Sequence, residues 1–259
     1  GGSPLMSIRM GEGQDEKAKK ILANSFWMIV GLSAVLTLVL FVFKREILTR
    51  FGASEAILPY AESYFTIYLL GTVFVMVSVG MNPFINSQGF GNTGMISVLI
   101  GAVLNIILDP IFIFVLNLGV RGAAIATIIS QFCSTVWVLV FLTGKRAVLH
   151  LKWSCMWLQW KRVLRIISLG VSSFIMAFTN SLVQVVCNAT LQVYGGDIYV
   201  GVMTVLNSVR DICTLPVMCI TNGASPVMSF NYGEGAYEKV RKAIRFLTIL
   251  CVTYTFAAW

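Results

Sequence analysis

Ser3 to Lys20 reads SPLMSIRMGEGQDEKAKK, and Ser225 to Lys242, near the other end of the chain, reads SPVMSFNYGEGAYEKVRK. Ten of these eighteen positions are identical, and the SPxMS and GEG blocks keep one register, so the two stretches are copies of an internal repeat. A membrane-crossing helix needs about 20 mostly apolar residues. Six such segments lie between the copies: Phe26–Phe43, Ser63–Met81, Gly94–Leu116, Gly122–Thr143, Ile166–Val193 and Ile198–Met228. An even number of crossings returns the chain to the side it left. Both copies therefore lie on one side of a membrane, and the repeats are parallel, related by an axis along the membrane normal. A seventh apolar run begins near Ala243 and reaches Trp259.

Composition agrees with this frame. The chain is 57% hydrophobic and 12% charged, whereas soluble domains run at ~45–50% and ~25%. An ordinary soluble globular protein is excluded. The six cysteines show no metal spacing and no CxxC, which argues against a disulfide scaffold or a redox site. The expected fold class is an all-α polytopic membrane protein with about seven transmembrane segments. The opening GGSPLMS lacks the basic head and apolar core of a signal peptide, and the last run meets Trp259 without a polar tail. The chain reads as an internal piece of a longer protein.

Basic residues set the orientation, because Lys and Arg in short loops stay cytoplasmic. Counted over alternate loops, fourteen lie on the side of the repeats and four, Lys44, Arg45, Arg50 and Arg121, on the other, with Arg210 inside a span. The repeat loops are thus expected in the cytoplasm. The net charge of +8 reflects topology and not a nucleic-acid partner. In the long loop Gly144–Arg165, Trp153, Trp157 and Trp160 recur on one helical face among basic residues, the pattern of a helix lying at the headgroups.

Chemistry is expected where polar groups enter the apolar spans, since a central carboxylate costs about 2.5–3.5 kcal/mol on insertion scales. Asp109, in NIILDPIF, follows Asn105 by four residues, placing both side chains on one face. Pro110 removes an amide proton and should leave a bent helix with a free carbonyl at Ile106. Carboxylate, amide and carbonyl oxygens suit a proton or a small hard cation such as sodium. Arg210 and Asp211 are adjacent on their helix, so each is expected to find a partner elsewhere. Glu62 reads as an interfacial group, and His150 as a solvated side chain. Enzyme motifs are missing from the sequence: it has no HExxH and no Asp-rich metal motif, and His150 is its only histidine.

Five stretches together resemble the multidrug and toxic compound extrusion (MATE) family along nearly the whole chain. They are SPLMSIRMGEG at Ser3, MNPFINSQGFGNTG at Met81, GAVLNIILDPIFIF at Gly101, GVRGAAIATIISQ at Gly119 and SFNYGEG at Ser229. The resemblance implies twelve helices in two six-helix lobes, and export of organic, often cationic, compounds in exchange for sodium or protons. On that template residues 1–143 are a partial amino-terminal lobe holding the end of helix two and helices three to six. Residues 144–165 are a cytoplasmic inter-lobe linker with an interfacial helix. Residues 166–259 are a partial carboxy-terminal lobe with helices seven, eight and the start of nine.

The resemblance also implies a coupling site for sodium or a proton at Asn105, Asp109 and Thr127. It suggests Tyr64 and Asn82 as further residues lining the lobe cavity, to which Arg210 and Asp211 are added as polar groups inside a span. The family's essential acid in its first helix falls before Gly1, and any acid of the tenth helix beyond Trp259. A lipid-linked saccharide flippase of the same broader superfamily is the alternative, distinguished by a cavity lined with arginines. The expectations are a multi-pass protein of the plasma or inner membrane, monomeric, with small organic cations or drugs and the lipid bilayer as partners. No cofactor beyond the coupling ion and no catalytic residue are expected.

Overall fold

A computed structural model describes residues 1–50, 58–151 and 159–258, and among them every regular element is helical. They are α1 (Gly2–Gly11), α2 (Asp15–Val42), α3 (Lys44–Arg50), α4 (Leu58–Leu70), α5 (Thr72–Ser87), α6 (Gly91–Pro110), α7 (Gly119–Thr143), α8 (Trp160–Gly233) and α9 (Tyr237–Ala258). The chain divides into two compact units, one of Asp15–Val163 and one of Gly1–Gln14 with Leu164–Trp259. Residues 1–14 of the expected amino-terminal lobe thus pack with the second unit. Large apolar side chains stand exposed along the helices of both units, among them Leu38, Ile106, Phe114, Phe174 and Val205. So extensive an apolar surface calls for lipid or further helices around it.

Five helices are long and apolar enough to cross a membrane, and six if α4 and α5 count as one broken span. That pair bends by 55° at Gly71, where the sequence suggests an uninterrupted span from Ser63 to Met81. A Cβ at Gly71 would lie 2.4 Å from Cγ1 of Ile128, so glycine is what lets α7 approach the bend. Side chains bond carbonyls on either side of it. Thr37 donates to the carbonyl of Leu69 at 3.4 Å, and Thr135 to that of Phe74 at 2.7 Å. The expected seventh span falls in α9. Arg241, Lys242 and Arg245 remain in even its most apolar stretch of spanning length, and α9 is not among the candidate spans.

α7 is the centre of the first unit, packing against α4, α5 and α6. Ala124, Ala126, Ser130, Ser134 and Val138 are all buried along it. Small residues here let backbones approach closely, the usual basis of helix association where lipid offers no hydrophobic drive. α6 does not stop at Pro110. The helix passes into a π turn over Ile111–Val115, in which Leu116 donates to the carbonyl of Ile111 at 2.9 Å. The wider turn adapts the chain beyond the proline while remaining hydrogen-bonded, so this span is not cut short.

Of the expected linker helix, residues 152–158, including Trp153 and Trp157, lie outside the described residues. What precedes it is a strap. The backbone N–H of Leu149 donates to Oε1 of Gln88 at 2.8 Å, that of Leu151 to the carbonyl of Leu142 at 2.8 Å, and Ala147, Leu149 and Leu151 are buried. Beyond the gap, the N–H of Gln159 donates to Oδ1 of Asn24 at 3.2 Å. His150 departs from expectation: it is half-buried within the strap, and its Nδ1 is enclosed without a hydrogen-bond partner.

In the second unit α8 is interrupted at Gly196, whose φ of 64° and ψ of −163° break it into two spans, Trp160–Asn188 and Gly201–Gly233. The two repeats end alike. Gly13 and Gly235 both adopt positive φ, 69° and 80°. Gln14 N–H reaches the Arg9 carbonyl at 2.9 Å, and Ala236 N–H reaches that of Asn231 at 3.0 Å. This left-handed glycine cap closes the last helical turn at the same register in both copies.

Candidate cation site

Asn105 and Asp109 stand one turn apart on α6 because the helix runs unbroken through Pro110, and α7 brings Thr127 across to them. Asn105 Nδ2 donates to Oδ1 of Asp109 at 3.0 Å and lies 3.4 Å from Oγ1 of Thr127. Thr127 spends its own proton on the carbonyl of Ala123 at 2.9 Å, so its hydroxyl offers only lone pairs to the cluster. Tyr64 on α4 sets its hydroxyl against Thr127 and within electrostatic reach of Asp109. All four side chains are half-buried.

The amide of Asn105 does to these two oxygens what a cation would do. It places positive density between a carboxylate and a hydroxyl. Flipping that amide end for end would present Oδ1 instead, giving one carboxylate, one amide and one hydroxyl oxygen as a hard-cation donor set. The same Asp109 oxygen can equally take a proton. The donor chemistry therefore fits either ion.

A cavity of about 390 Å³ opens beside the cluster between α5, α6 and α7, with Asn105, Thr127 and Asn82 on its wall. Asn82 is fully engaged within that wall. Its Nδ2 donates to the Gly94 carbonyl at 2.8 Å and to Ser97 Oγ at 2.6 Å, and its Oδ1 accepts from Asn86 at 3.1 Å. It clamps α5 to α6. Ser78, Ser130, Gln131 and Ser134 also line the cavity, and sequence reasoning did not single them out. Their signal was the spacing of Thr127, Gln131 and Ser134, which sets three polar groups along one face of an otherwise apolar span.

The cavity wall does not include Arg210 and Asp211. They pair with each other at 3.3 Å and are exposed, 58% and 62%, in place of the expected partners on another helix or at a break before Pro216. Long side chains can fold back along the helix surface although their Cα–Cβ vectors diverge. Glu62 pairs with Lys44 at 3.4 Å beside a shallow pocket of about 510 Å³ that also holds Arg121. Cys133, Cys187, Cys213, Cys219 and Cys251 are free thiols. Among the described residues no group of three or more His, Cys, Asp or Glu side chains could hold a metal.

Comparison with known proteins agrees with this architecture. The family model MatE matches residues 1–111 and 172–258. The multidrug export protein MepA of Staphylococcus aureus is 24% identical over 99% of the chain and 58% of its own length, and MepA of Staphylococcus haemolyticus is 26% identical over 90% and 51%. Among solved structures, the MATE multidrug transporter DinF-BH superposes with a TM-score of 0.91 at 30% identity, over 99% of this chain and 58% of that one. A MOP superfamily transporter from Pyrococcus furiosus shares the fold with a TM-score of 0.89 at 23% identity, over 99% and 57%. The chain spans about half the length of the relatives it matches. Since the family model takes in both copies of the repeat and well over half of the residues, the chain belongs to the MATE family.

Proposed function

We propose that this chain forms part of a secondary antiporter that exports organic, often cationic, compounds in exchange for sodium or protons by alternating access. The observation that carries the reading is the cluster of Asp109, Asn105, Thr127 and Tyr64 within apolar helices. A carboxylate is retained there at an insertion cost of about 2.5–3.5 kcal/mol, next to neutral oxygens that suit a cation. The names of MepA and DinF-BH, which describe multidrug export and transport, support the same substrate class.

Coupling follows from competition. A cation or proton on Asp109 and an organic cation in the adjoining cavity both draw on the same negative charge, so binding of one disfavours the other. A ligand moves the equilibrium between outward and inward states only by its differential affinity for them. Against the flippase alternative stands the chemistry of the cavity itself, whose polar wall is built from Asn82, Asn105, Thr127 and Gln131 with serines and not from arginines.

The test is transport by the full-length protein in vesicles. Efflux of a fluorescent organic cation should depend on an imposed sodium or proton gradient and collapse when that gradient is dissipated. Efflux indifferent to both gradients would overturn the antiport reading.

A further inference from the structure

Lys44 and Arg121 meet at one end of the unit Asp15–Val163. Lys44 stands two residues beyond the end of α2, and Arg121 is the third residue of α7. Both helices are candidate membrane spans, so both cations sit where an apolar span gives way to water, on the side away from the repeats. The pocket of about 510 Å³ that they share is lined also by Glu62, Ser63 and Thr66 of α4.

Basic residues at span ends ordinarily reach along the surface toward water. Lys44 is instead held inside. Its Nζ donates to Oγ1 of Thr66 at 3.1 Å, pairs with Glu62 at 3.4 Å and lies 5.0 Å from the centre of the Phe41 ring. Arg121 is drawn to the same helix, with a guanidinium nitrogen donating to Oγ of Ser63 at 3.4 Å. Among the described residues the pocket wall carries two cations and one carboxylate, and Glu62 already serves Lys44. No acidic side chain stands in the first turn of α7 to offset Arg121. The pocket thus bears one net positive charge and presents a guanidinium, an ammonium and hydroxyls together. A phosphate, with one negative charge spread over several acceptor oxygens, matches that set.

The border of the pocket indicates the source of the phosphate. Phe41 and Phe43 before Lys44, and Val115, Leu116 and Val120 before Arg121, are exposed apolar side chains. A soluble anion gains nothing from such a border, whereas a phospholipid lays its acyl chains along it while its phosphate enters the pocket. We propose that the Lys44–Arg121 pocket binds the headgroup phosphate of an anionic phospholipid, in the leaflet that the basic residues assign to the exterior. The bound lipid bridges α4 and α7, the helices that carry Tyr64 and Thr127 of the candidate cation site.

The test reads binding alone and does not depend on the antiport reading. Full-length protein in detergent is titrated with phosphatidylglycerol and the first bound lipid is followed by native mass spectrometry. It should bind at least about five-fold more tightly than phosphatidylcholine, whose headgroup is neutral overall, the weight of one basic charge at an anionic lipid surface. Arg121→Gln should abolish that preference. Arg45→Gln removes a neighbouring exposed cation that is not part of the pocket wall and should leave it intact. Glu62→Gln frees Lys44 for the phosphate and should tighten phosphatidylglycerol binding further, a gain that a misfolded variant cannot produce. Equal binding of the two lipids, equal loss in Arg45→Gln and Arg121→Gln, or binding that Glu62→Gln fails to tighten overturns the site. Displacement of the lipid by inorganic phosphate would assign the pocket to a soluble anion and overturn the lipid reading.

Discussion

At Asp109 two requirements compete. The span must insert, and its Ile, Leu, Val and Phe residues, each contributing about −0.3 to −0.6 kcal/mol, together outweigh one carboxylate. The carboxylate must also remain available, and Asn105 holds it at 3.0 Å without neutralising it. Asp109→Asn keeps the shape and removes the charge. In full-length protein it should express and fold normally and lose gradient-coupled efflux by at least about ten-fold. Thr127→Ala deletes one neutral oxygen and should cost less, about two- to five-fold. Transport by Asp109→Asn at the parent rate with unchanged ion dependence would make the carboxylate structural.

Asn82 should behave in the opposite way. Its amide is spent on Gly94, Ser97 and Asn86, so Asn82→Ala should lower stability by about 0.6–2 kcal/mol, the range of interhelical polar bonds in membranes. Thermal unfolding in detergent would read that loss, and the ion dependence of efflux should not move. The pairing of Asn105 with Asp109 was legible in the sequence because both lie on one helix four residues apart. The clamp at Asn82 was not, because it depends on where α6 happens to pass α5.

Gly71 shows what an apolar pattern hides in a helix. Nothing in Ser63–Met81 marks a break, since glycine is common in spans and no proline is present. The 55° bend appears because Ile128 of α7 needs the space a Cβ would fill. Gly71→Val should therefore destabilise the fold by about 1–3 kcal/mol, the ordinary cost of overpacking, seen as a lower melting temperature in detergent. An unchanged melting temperature would mean that Ile128 can move aside. The strap was invisible for a related reason. Residues 144–151 carry no periodicity, yet Gln88 captures the N–H of Leu149, a partnership between loops that no local signal announces. His150, drawn half-inside with it, could not be placed for the same reason.

The places of most apolar spans were legible in the sequence, because apolar length acts along the chain and needs no tertiary contact. The orientation that the basic residues imply can be checked directly. A cysteine replacing Asn117, in the turn between α6 and α7, should react in intact cells with an impermeant thiol reagent. One replacing Gly89, in the turn between α5 and α6, should react only after the membrane is opened. The reverse pattern would invert the orientation and with it the direction of export. Matching about half the length of its relatives, the 259-residue chain reconstituted alone should show no gradient-driven efflux above empty vesicles. Robust efflux would show that these helices suffice.

The backbone of α1 packs on the end of α8, with Gly11 against the carbonyl of Phe230 and Gly233 against that of Ile8, and this contact has a consequence for biosynthesis. α1 is among the first parts of this chain to leave the ribosome, but its packing partner around Phe230 and Gly233 follows only after most of the chain has been made. At about 5–20 residues per second, the glycine face of α1 waits roughly 10–45 s in the membrane without the surface it is shaped to meet. The intervening unit, Asp15–Val163, can assemble in that interval from contacts of its own. α1 is therefore locked in place long after it is made, and until then its bare face is open to whatever receives nascent helices at the translocation site.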